Sequence, residues 1–346
     1  MRSGRLSRAR TGLTALVAAI AVTVAMVPPV QASPNLQQVR ERVMDLEMQA
    51  QSADERYNEA RSELSDIQNK LDALKRKAKR ERRELRQILG GVDDLARAAY
   101  TSGGVDTSLQ VLLAEDPNEF LAQAAALEQV QRGQAAALRA SETTRLRLAQ
   151  TEAAVADKER AATKAKQRMR DHRNEARDRL AEARAILASL QARERARLAR
   201  LDQADRQAAL SAAAAASARL GSGVSARTAK VIRYALSQVG DRYVAAASGP
   251  SAYDCSGLTM SAWRQAGVSL PHYSRSQFAT TRRIPLSQAR PGDLVFYFGQ
   301  GAHHVGLYIG NGKMVHAANP SSGVLVSNIL GPWYSSRFSG IGRVVG

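Results

Sequence analysis

Cysteine is almost absent from this chain of 346 residues, which contains only Cys255. A single cysteine excludes an intramolecular disulfide framework. Three interpretations of its thiol remain: a buried inert side chain, an intermolecular bridge, or a catalytic thiolate. Aromatic residues are also scarce, at 5%. The net charge is +18, but the basic residues are not interleaved with the aromatic side chains on which single-stranded nucleic acids stack. We therefore expect no nucleic-acid partner.

Long apolar runs are confined to the N-terminus. A basic segment is followed by an uncharged apolar run at residues 13–30 and by Val30-Gln31-Ala32, which resembles a signal-peptidase cleavage site. Pro28 and Pro29 shorten the run to less than the ~20 residues that a membrane-spanning helix needs. This pattern favours a cleaved signal peptide at residues 1–32 over a transmembrane anchor. It predicts a secreted, cell-wall-associated protein whose basic surface meets anionic wall polymers or lipid head groups.

The apolar positions that follow recur at alternating steps of three and four residues, with a single miss at Glu81. They are Leu36, Val39, Val43, Leu46, Ala50, Ala53, Tyr57, Ala60, Leu64, Ile67, Leu71, Leu74, Ala78, Leu85, Ile88, Val92 and Leu95. This heptad repeat predicts a coiled-coil helix with a left-handed supercoil. A second helix is predicted for residues 118–220, which lack proline. We therefore predict an antiparallel hairpin over residues 33–220, with a short tip element at residues 108–114 and part of the longer second helix packed elsewhere.

The composition changes after Gly221-Ser222-Gly223, which predicts a second domain at residues 221–346. Helices are predicted for residues 228–239 and 255–266, followed by short strands separated by glycine-containing turns. The predicted strands are residues 294–298, 304–309, 313–318, 324–329 and 340–345. Helices followed by an antiparallel meander indicate the α+β class, with helices packed on an antiparallel sheet.

Asp254-Cys255-Ser256-Gly257 stands where a loop enters a predicted helix. The helix N-terminus presents unpaired N–H groups and a positive partial charge, which favour a thiolate. Four histidines of this domain are candidates to activate it: His272, His303, His304 and His316. His304 and His316 stand on neighbouring predicted strands, where one imidazole can act as base while the other fixes its tautomer. A lone cysteine or histidine is more often structural, but the two occur here in one ordered pattern.

Several motifs resemble the NlpC-type family of papain-like peptidoglycan endopeptidases. They are Tyr243-Val244, Tyr253-Asp254-Cys255-Ser256-Gly257-Leu258, Leu270-Pro271-His272-Tyr273-Ser274, Arg290-Pro291-Gly292-Asp293-Leu294-Val295-Phe296-Tyr297, His304-Val305-Gly306-Leu307-Tyr308-Ile309-Gly310 and Met314-Val315-His316-Ala317. The resemblance covers residues 224–346 and implies a papain-like catalytic domain. It departs from the family at Ala245-Ala246-Ala247, where Trp-Gly-Gly is usual.

The resemblance implies a role for each matching residue. Cys255 is the expected nucleophile, His304 the general base and His316 the residue that orients it. Tyr243 and Asp254 are expected to line the cleft, with Ser256 helping to hold the free amino group of the substrate. Two further histidines receive lesser roles: His272 in the cleft wall, and His303 as a flanking residue that faces solvent. No cofactor and no metal are expected.

The implied reaction is hydrolysis of a peptidoglycan stem peptide between γ-D-glutamate and the following diamino acid, in cell-wall remodelling or daughter-cell separation. A helical arm ahead of such a domain also resembles the actinobacterial septal hydrolases that dock on an FtsE–FtsX complex. The unequal helix lengths suggest a further hypothesis, that the arm blocks the cleft until a partner rearranges it. Two alternatives stay open: a non-catalytic wall scaffold or hydrolase activator, and an amidase or acyl transferase acting on another envelope substrate.

Overall fold

The computed structural model describes residues 35–101, 117–220, 224–299 and 303–344. The predicted signal peptide, the predicted tip element at 108–114 and the predicted linker at 221–223 lie outside the described residues. The domain limits at 32/33 and 220/221 stay predictions. No helix within the described ranges is long and apolar enough to cross a membrane.

The first two helices, α1 (Leu36–Thr101) and α2 (Pro117–Ser189), pack side by side. Ion pairs cross between them in an order that falls along α2 as it rises along α1. The pairs are Arg42–Glu182, Arg56–Glu175, Glu63–Arg168, Lys75–Glu159, Arg82–Glu152 and Glu84–Arg147. The helices are therefore antiparallel. Much of the predicted seam is buried, from Val39 to Ala78, whereas Val92 is 43% exposed. The left-handed supercoil stays a prediction.

The second predicted helix is not continuous, which corrects the predicted span of 118–220. It breaks at Leu190 and Gln191, and α3 (Ala192–Arg219) begins with a capping box between Gln191 and Glu194. Leu190 is buried at the break in a cluster that joins all three helices. Burial of the Leu190 side chain thus offsets the helical hydrogen bonds that are lost at Leu190 and Gln191. As expected, part of the second helical stretch packs elsewhere, because α3 contacts the C-terminal domain.

The C-terminal domain begins with α4 (Ala226–Ser237), which buries one apolar face, and continues with α5 (Cys255–Arg264) and the short α6 (Ser274–Thr280). A small parallel ladder lies between α4 and α5 in the sequence. It consists of two strands of two residues each, β1 (Arg242–Tyr243) and β2 (Ala252–Tyr253). The core lies between these helices and one face of the main sheet.

The main sheet has six antiparallel strands in the order β3-β8-β4-β5-β6-β7. They are β3 (Arg282–Ile284), β4 (Leu294–Tyr297), β5 (His304–Gly310), β6 (Lys313–Asn319), β7 (Gly323–Asn328) and β8 (Phe338–Arg343). The predicted α+β class, with helices on an antiparallel sheet, is confirmed. All five predicted strands are present, with ends that differ by one or two residues.

Sequence analysis missed β3, the β1–β2 ladder and α6. Each is seven residues or shorter, and a window of that length does not display a distinctive hydrophobic period. β3 also begins with two arginines, which hide its apolar pattern. Arg282 and Arg283 are exposed because the strand lies at the sheet edge, where charged residues are common.

The Ala245-Ala246-Ala247 segment contains one residue in a conformation that favours glycine. Ala246 has φ of 58°, in the left-handed region where a Cβ costs about 1 kcal/mol. We expect Ala246→Gly to keep or raise the thermal midpoint, because relief of this strain offsets the extra freedom of glycine in the unfolded chain. The matched control is Ala245→Gly, which has no such strain to relieve. Calorimetry checks the pair, and an Ala246→Gly variant less stable than Ala245→Gly would contradict the expectation.

Candidate active site

Cys255 is the first residue of α5 and is completely buried. Asp254 caps the helix, because its Oδ1 accepts a hydrogen bond from the backbone N–H of Gly257 at 2.6 Å. Gly257 is required there, since a Cβ would lie 2.2 Å from the carbonyl oxygen of Ala247 and 2.9 Å from Nε2 of His272. The sequence therefore fixes the sulfur at the positive end of a short helix, as predicted.

His304 and His316 are both buried and hydrogen-bonded to each other. Nε2 of His304 lies 2.8 Å from Nδ1 of His316. The two side chains share one face of the β5–β6 hairpin, and Gly306 leaves the room between them: a Cβ there would lie 2.6 Å from Sδ of Met314 and 3.3 Å from Cβ of His316. The ring of Tyr334 stacks on His304 at a centroid distance of 5.9 Å. The rings are therefore held on three sides.

The sulfur lies beside the start of β5. Sγ of Cys255 is 4.0 Å from the carbonyl oxygen of His303, the residue before His304. Nδ1 of His304 has no hydrogen-bond partner within the described part of the chain. The nitrogen that is not held by His316 is thus available to a nearby proton donor.

A stripe of polar side chains on α1 covers this region, and we call it the plug face. Its members are buried on one side of the helix and are three or four residues apart, except for the adjacent pair Asp54 and Glu55. They are Glu47, Gln51, Asp54, Glu55 and Asn58. The amide of Gln51 donates to the carbonyl oxygen of Ala318 on β6, and Glu47 accepts from the hydroxyl of Ser321 at 2.8 Å. The first helix of the arm is therefore docked onto the domain that carries Cys255.

Glu55 is the centre of the plug face. Its Oε1 accepts from Sγ of Cys255 at 3.2 Å and from Oγ of Ser256 at 2.7 Å. Its Oε2 accepts from the backbone N–H of Ser274, at the start of α6. The carboxyl group therefore binds the thiol directly, in place of an imidazole.

The residues predicted to line the cleft surround this carboxyl group. Asp254 accepts from Nδ2 of Asn58 at 3.0 Å and pairs with Nε2 of His272 at 3.1 Å. Tyr243 is buried, and its phenol pKa is raised by burial and then by the negative charge of Asp54. Their predicted roles in substrate binding stay predictions.

The prediction that His303 faces solvent is wrong. Nδ1 of His303 lies 2.9 Å from Oγ of Ser52 on α1, and its ring packs near Phe298. The sequence placed His303 next to a turn, where exposure is the usual outcome. Contact with α1, which is more than two hundred residues away in the chain, reverses that outcome.

Burial dominates the electrostatics of the cleft. It raises the pKa of the Cys255 thiol well above its ordinary value, and the carboxylates of Glu55 and Asp254 raise it further. This is opposite to the direction expected from the helix N-terminus alone. Burial lowers the pKa of His304 to about 3 and also lowers that of His316, where His304 adds to the effect. The thiol and both imidazoles are therefore neutral while α1 is docked.

The C-terminal domain also resembles known proteins. Residues 240–343 match the model of the NlpC/P60 family. The crystal structure of a P60 domain from an antigen of Mycobacterium avium subspecies paratuberculosis is 32% identical, and the match covers 35% of this chain and 96% of that domain, with a TM-score of 0.31. Residues 240–343 are therefore an NlpC/P60 domain. Its ordered motifs around Cys255, His304 and His316 lie inside the matching range.

Two curated relatives carry names that describe an activity. "Probable endopeptidase p60" of Listeria monocytogenes is 44% identical over 115 residues, which are 33% of this chain and 23% of that protein. "Peptidoglycan endopeptidase RipA" of Mycobacterium tuberculosis is 40% identical over 112 residues, which are 29% of this chain and 24% of that protein. The chain thus spans about a quarter of the length of these relatives.

Carboxyl groups of the plug face make the docking of α1 sensitive to pH. Burial raises the pKa of Glu47 from 4.5 to about 7 and that of Asp54 from 3.8 to about 7, with Asp254 and Glu55 adding to the shift at Asp54. Burial and Asp254 also raise the pKa of Glu55. Between its ordinary pKa and a pH of about 7, each group holds a proton in the folded protein that it has lost in the unfolded chain. Its stabilising contribution is complete below the unfolded pKa and is lost as the pH rises through about 7.

We expect the thermal midpoint of the Asp54→Asn variant to rise relative to that of wild type as the pH increases from about 5 to about 8. The reason is that the amide of asparagine never ionises, whereas the buried carboxyl group of Asp54 does. Asp66→Asn is the matched control, since Asp66 is exposed on the same helix. Scanning calorimetry at several pH values measures both differences. A difference between Asp54→Asn and wild type that does not change with pH would contradict the expectation.

Proposed function

We propose that this protein is a latent cysteine endopeptidase of peptidoglycan, which hydrolyses the stem-peptide bond between γ-D-glutamate and the following diamino acid. One observation carries the proposal: Cys255 stands at a helix N-terminus beside a strand that carries a hydrogen-bonded pair of buried histidines. The names of the p60 and RipA relatives support the substrate class. The docked α1 supports latency.

The first half of the reaction uses Cys255 and His304. Nδ1 of His304 accepts the thiol proton, and the thiolate attacks the γ-carbonyl carbon of D-glutamate to form a C–S bond. The first backbone N–H groups of α5 have no intrahelical acceptor and stabilise the developing oxyanion. The tetrahedral intermediate then expels the amine of the diamino acid, which takes its proton from His304.

The second half of the reaction regenerates the thiol. A water molecule gives one proton to His304 while its oxygen attacks the thioester carbon. The C–S bond breaks, a free γ-carboxyl group leaves, and the proton on His304 returns to the sulfur of Cys255. His316 accepts a hydrogen bond from Nε2–H of His304 throughout, which stabilises the imidazolium in both halves.

Substrate binding is assigned to the residues that α1 now covers. We propose that Ser256 helps to hold the free amino group of the stem peptide, and that Tyr243, Asp254 and His272 line the cleft. In the docked state Asp254 instead accepts from the amide of Asn58, and Ser256 donates to Glu55. Substrate and plug face therefore compete for the same donors and acceptors.

The cellular part of the proposal rests on likeness alone. The predicted signal peptide supports action outside the cytoplasmic membrane, and we propose a part in wall remodelling or daughter-cell separation. The hairpin arm then offers a docking site for a membrane complex of the FtsE–FtsX type, which would lift the plug face from the cleft.

Purified peptidoglycan tests the chemistry. Wild type is expected to release soluble muropeptides with a new free γ-glutamyl carboxyl terminus, and Cys255→Ala to reduce the release at least about 1000-fold, because it removes the nucleophile. Mass spectrometry of the fragments distinguishes this cut from that of an amidase or an acyl transferase, since each leaves a different terminus. Equal release by wild type and Cys255→Ala would overturn the proposal.

Latency is tested separately with Glu55→Ala in the full chain. Three buried donors lose their acceptor in the docked state, so the equilibrium shifts towards release of α1, and we expect muropeptide release to rise about 10-fold or more. Glu59→Ala, one turn further along α1, is the matched control. Alkylation of Cys255 by a small reagent gives a second readout, which is expected to quicken only in Glu55→Ala. If the two variants behaved alike in both assays, latency through Glu55 would be refuted.

One observation favours a different function, that of a non-catalytic scaffold or hydrolase activator. The cleft is filled by α1 and the thiol pKa is raised, as expected of a site that no longer reacts. In that case Cys255 of the Glu55→Ala variant would be alkylated faster than in wild type, but the variant would release no muropeptides. The two assays on this one variant therefore distinguish the functions.

A further inference from the structure

A row of polar side chains crosses the buried face of the sheet on three adjacent strands. His304 on β5 contacts His316 on β6, and Nε2 of His316 lies 2.9 Å from Oγ of Ser327 on β7. The register pairs Met314 with Ser327 and His316 with Leu325, so His316 and Ser327 point to the same face. Ser327 thus completes a continuous hydrogen-bonded row that begins at His304, the first residue of the strand beside the sulfur.

Hydrogen atoms can occupy this chain in two ways. In the first, His304 donates from Nε2 to Nδ1 of His316, which donates from Nε2 to Oγ of Ser327. Nδ1 of His304 then carries a lone pair. In the second, the hydroxyl of Ser327 donates to His316, His316 donates to His304, and the proton of His304 lies on Nδ1.

Burial selects between the two arrangements. Nδ1 of His304 has no partner in the described ranges, so a proton there is a buried donor without an acceptor, which costs roughly 1–3 kcal/mol. The first arrangement avoids that cost only if Ser327 accepts the proton of His316. It is also the arrangement compatible with a doubly protonated His304 during the reaction, because His316 must then offer its Nδ1 lone pair.

We propose that Ser327 is a positioning residue that fixes the tautomer of His316 and thereby keeps a basic lone pair on Nδ1 of His304. The inference rests on the proposed function of Cys255 and His304. Ser327 touches neither sulfur nor substrate, and it acts through the two imidazoles. The resemblance motifs end at Ala317, so Ser327 lies outside the segments that suggested the site.

Kinetics in the full chain give the first test, with Glu55→Ala as the background so that turnover is measurable. Adding Ser327→Ala is expected to lower kcat about 10-fold with KM unchanged, because the imidazolium of His304 loses its support. The acidic limb of the pH–rate profile, which reports protonation of His304, is expected to move about one unit lower. Ser327→Thr keeps the hydroxyl and is expected to restore both quantities. Asn328→Ala, on the opposite face of β7, is the matched control.

Nitrogen NMR of the histidine rings gives a second test that needs no substrate. In the wild-type protein we expect a proton on Nε2 of His304 and on Nε2 of His316. In Ser327→Ala neither arrangement satisfies every buried donor, so a mixture of tautomers is expected, and Ser327→Thr is expected to return to the wild-type pattern.

The outcomes separate the two proposals. Loss of the tautomer preference in Ser327→Ala supports the role of Ser327 even if Glu55→Ala releases no muropeptides, which would refute only the endopeptidase. A proton on Nδ1 of His304 in wild type, or identical tautomers in wild type and Ser327→Ala, overturns the inference. So does a fall in kcat that is equal in Ser327→Ala and Asn328→Ala.

Discussion

The buried carboxyl group of Glu55 is the interaction on which the organisation of this protein depends. It joins a helix near one end of the chain to three donors of the C-terminal domain: the thiol of Cys255, the hydroxyl of Ser256 and the backbone N–H of Ser274. A buried carboxyl group is tolerated only when hydrogen bonds satisfy it. Burial together with this carboxyl group raises the pKa of the Cys255 thiol, and burial lowers the pKa of both imidazoles.

Three other members of the plug face also form hydrogen bonds with the C-terminal domain. Gln51, Glu47 and Asn58 each find a partner on the domain, and each of those partners is a polar group at or near the cleft. These contacts between α1 and the domain are polar. Such a surface holds well when every group is paired, yet separation costs little because water can satisfy the same groups. An apolar interface of equal size would be harder to open.

The domain and its central residues were predictable from sequence because their signals are local. Turn residues bound the strands of the sheet, and a helix start follows Asp254 directly. The hydrogen bond between His304 and His316 also follows from position, since both stand on one hairpin. These features need only neighbouring residues in the chain and the period of a strand.

The plug face was not predictable for the opposite reason. Glu47, Gln51, Asp54, Glu55 and Asn58 form a polar stripe on an amphipathic helix, a pattern that normally indicates contact with water. Their burial depends on a contact across about two hundred residues, to Asp254 and its neighbours. Ser327 escaped notice in a similar way, because a single serine on a strand has no distinctive pattern. The break at Gln191 is likewise set by the packing of Leu190 against α1 and α3 and not by proline or glycine.

The ion pairs that cross the hairpin have a mechanical consequence. From Arg42–Glu182 to Glu84–Arg147 they connect α1 to α2 along much of its length, and although each exposed pair contributes only about 0–1 kcal/mol, they act together with the buried seam. Peeling α1 away alone would break all of them. If both helices tilt together as a rigid unit, the ion pairs are preserved and the backbone rearrangement is confined to Leu190 and Gln191. A small force at the far end of the hairpin would then be enough to move Glu55 away from the sulfur.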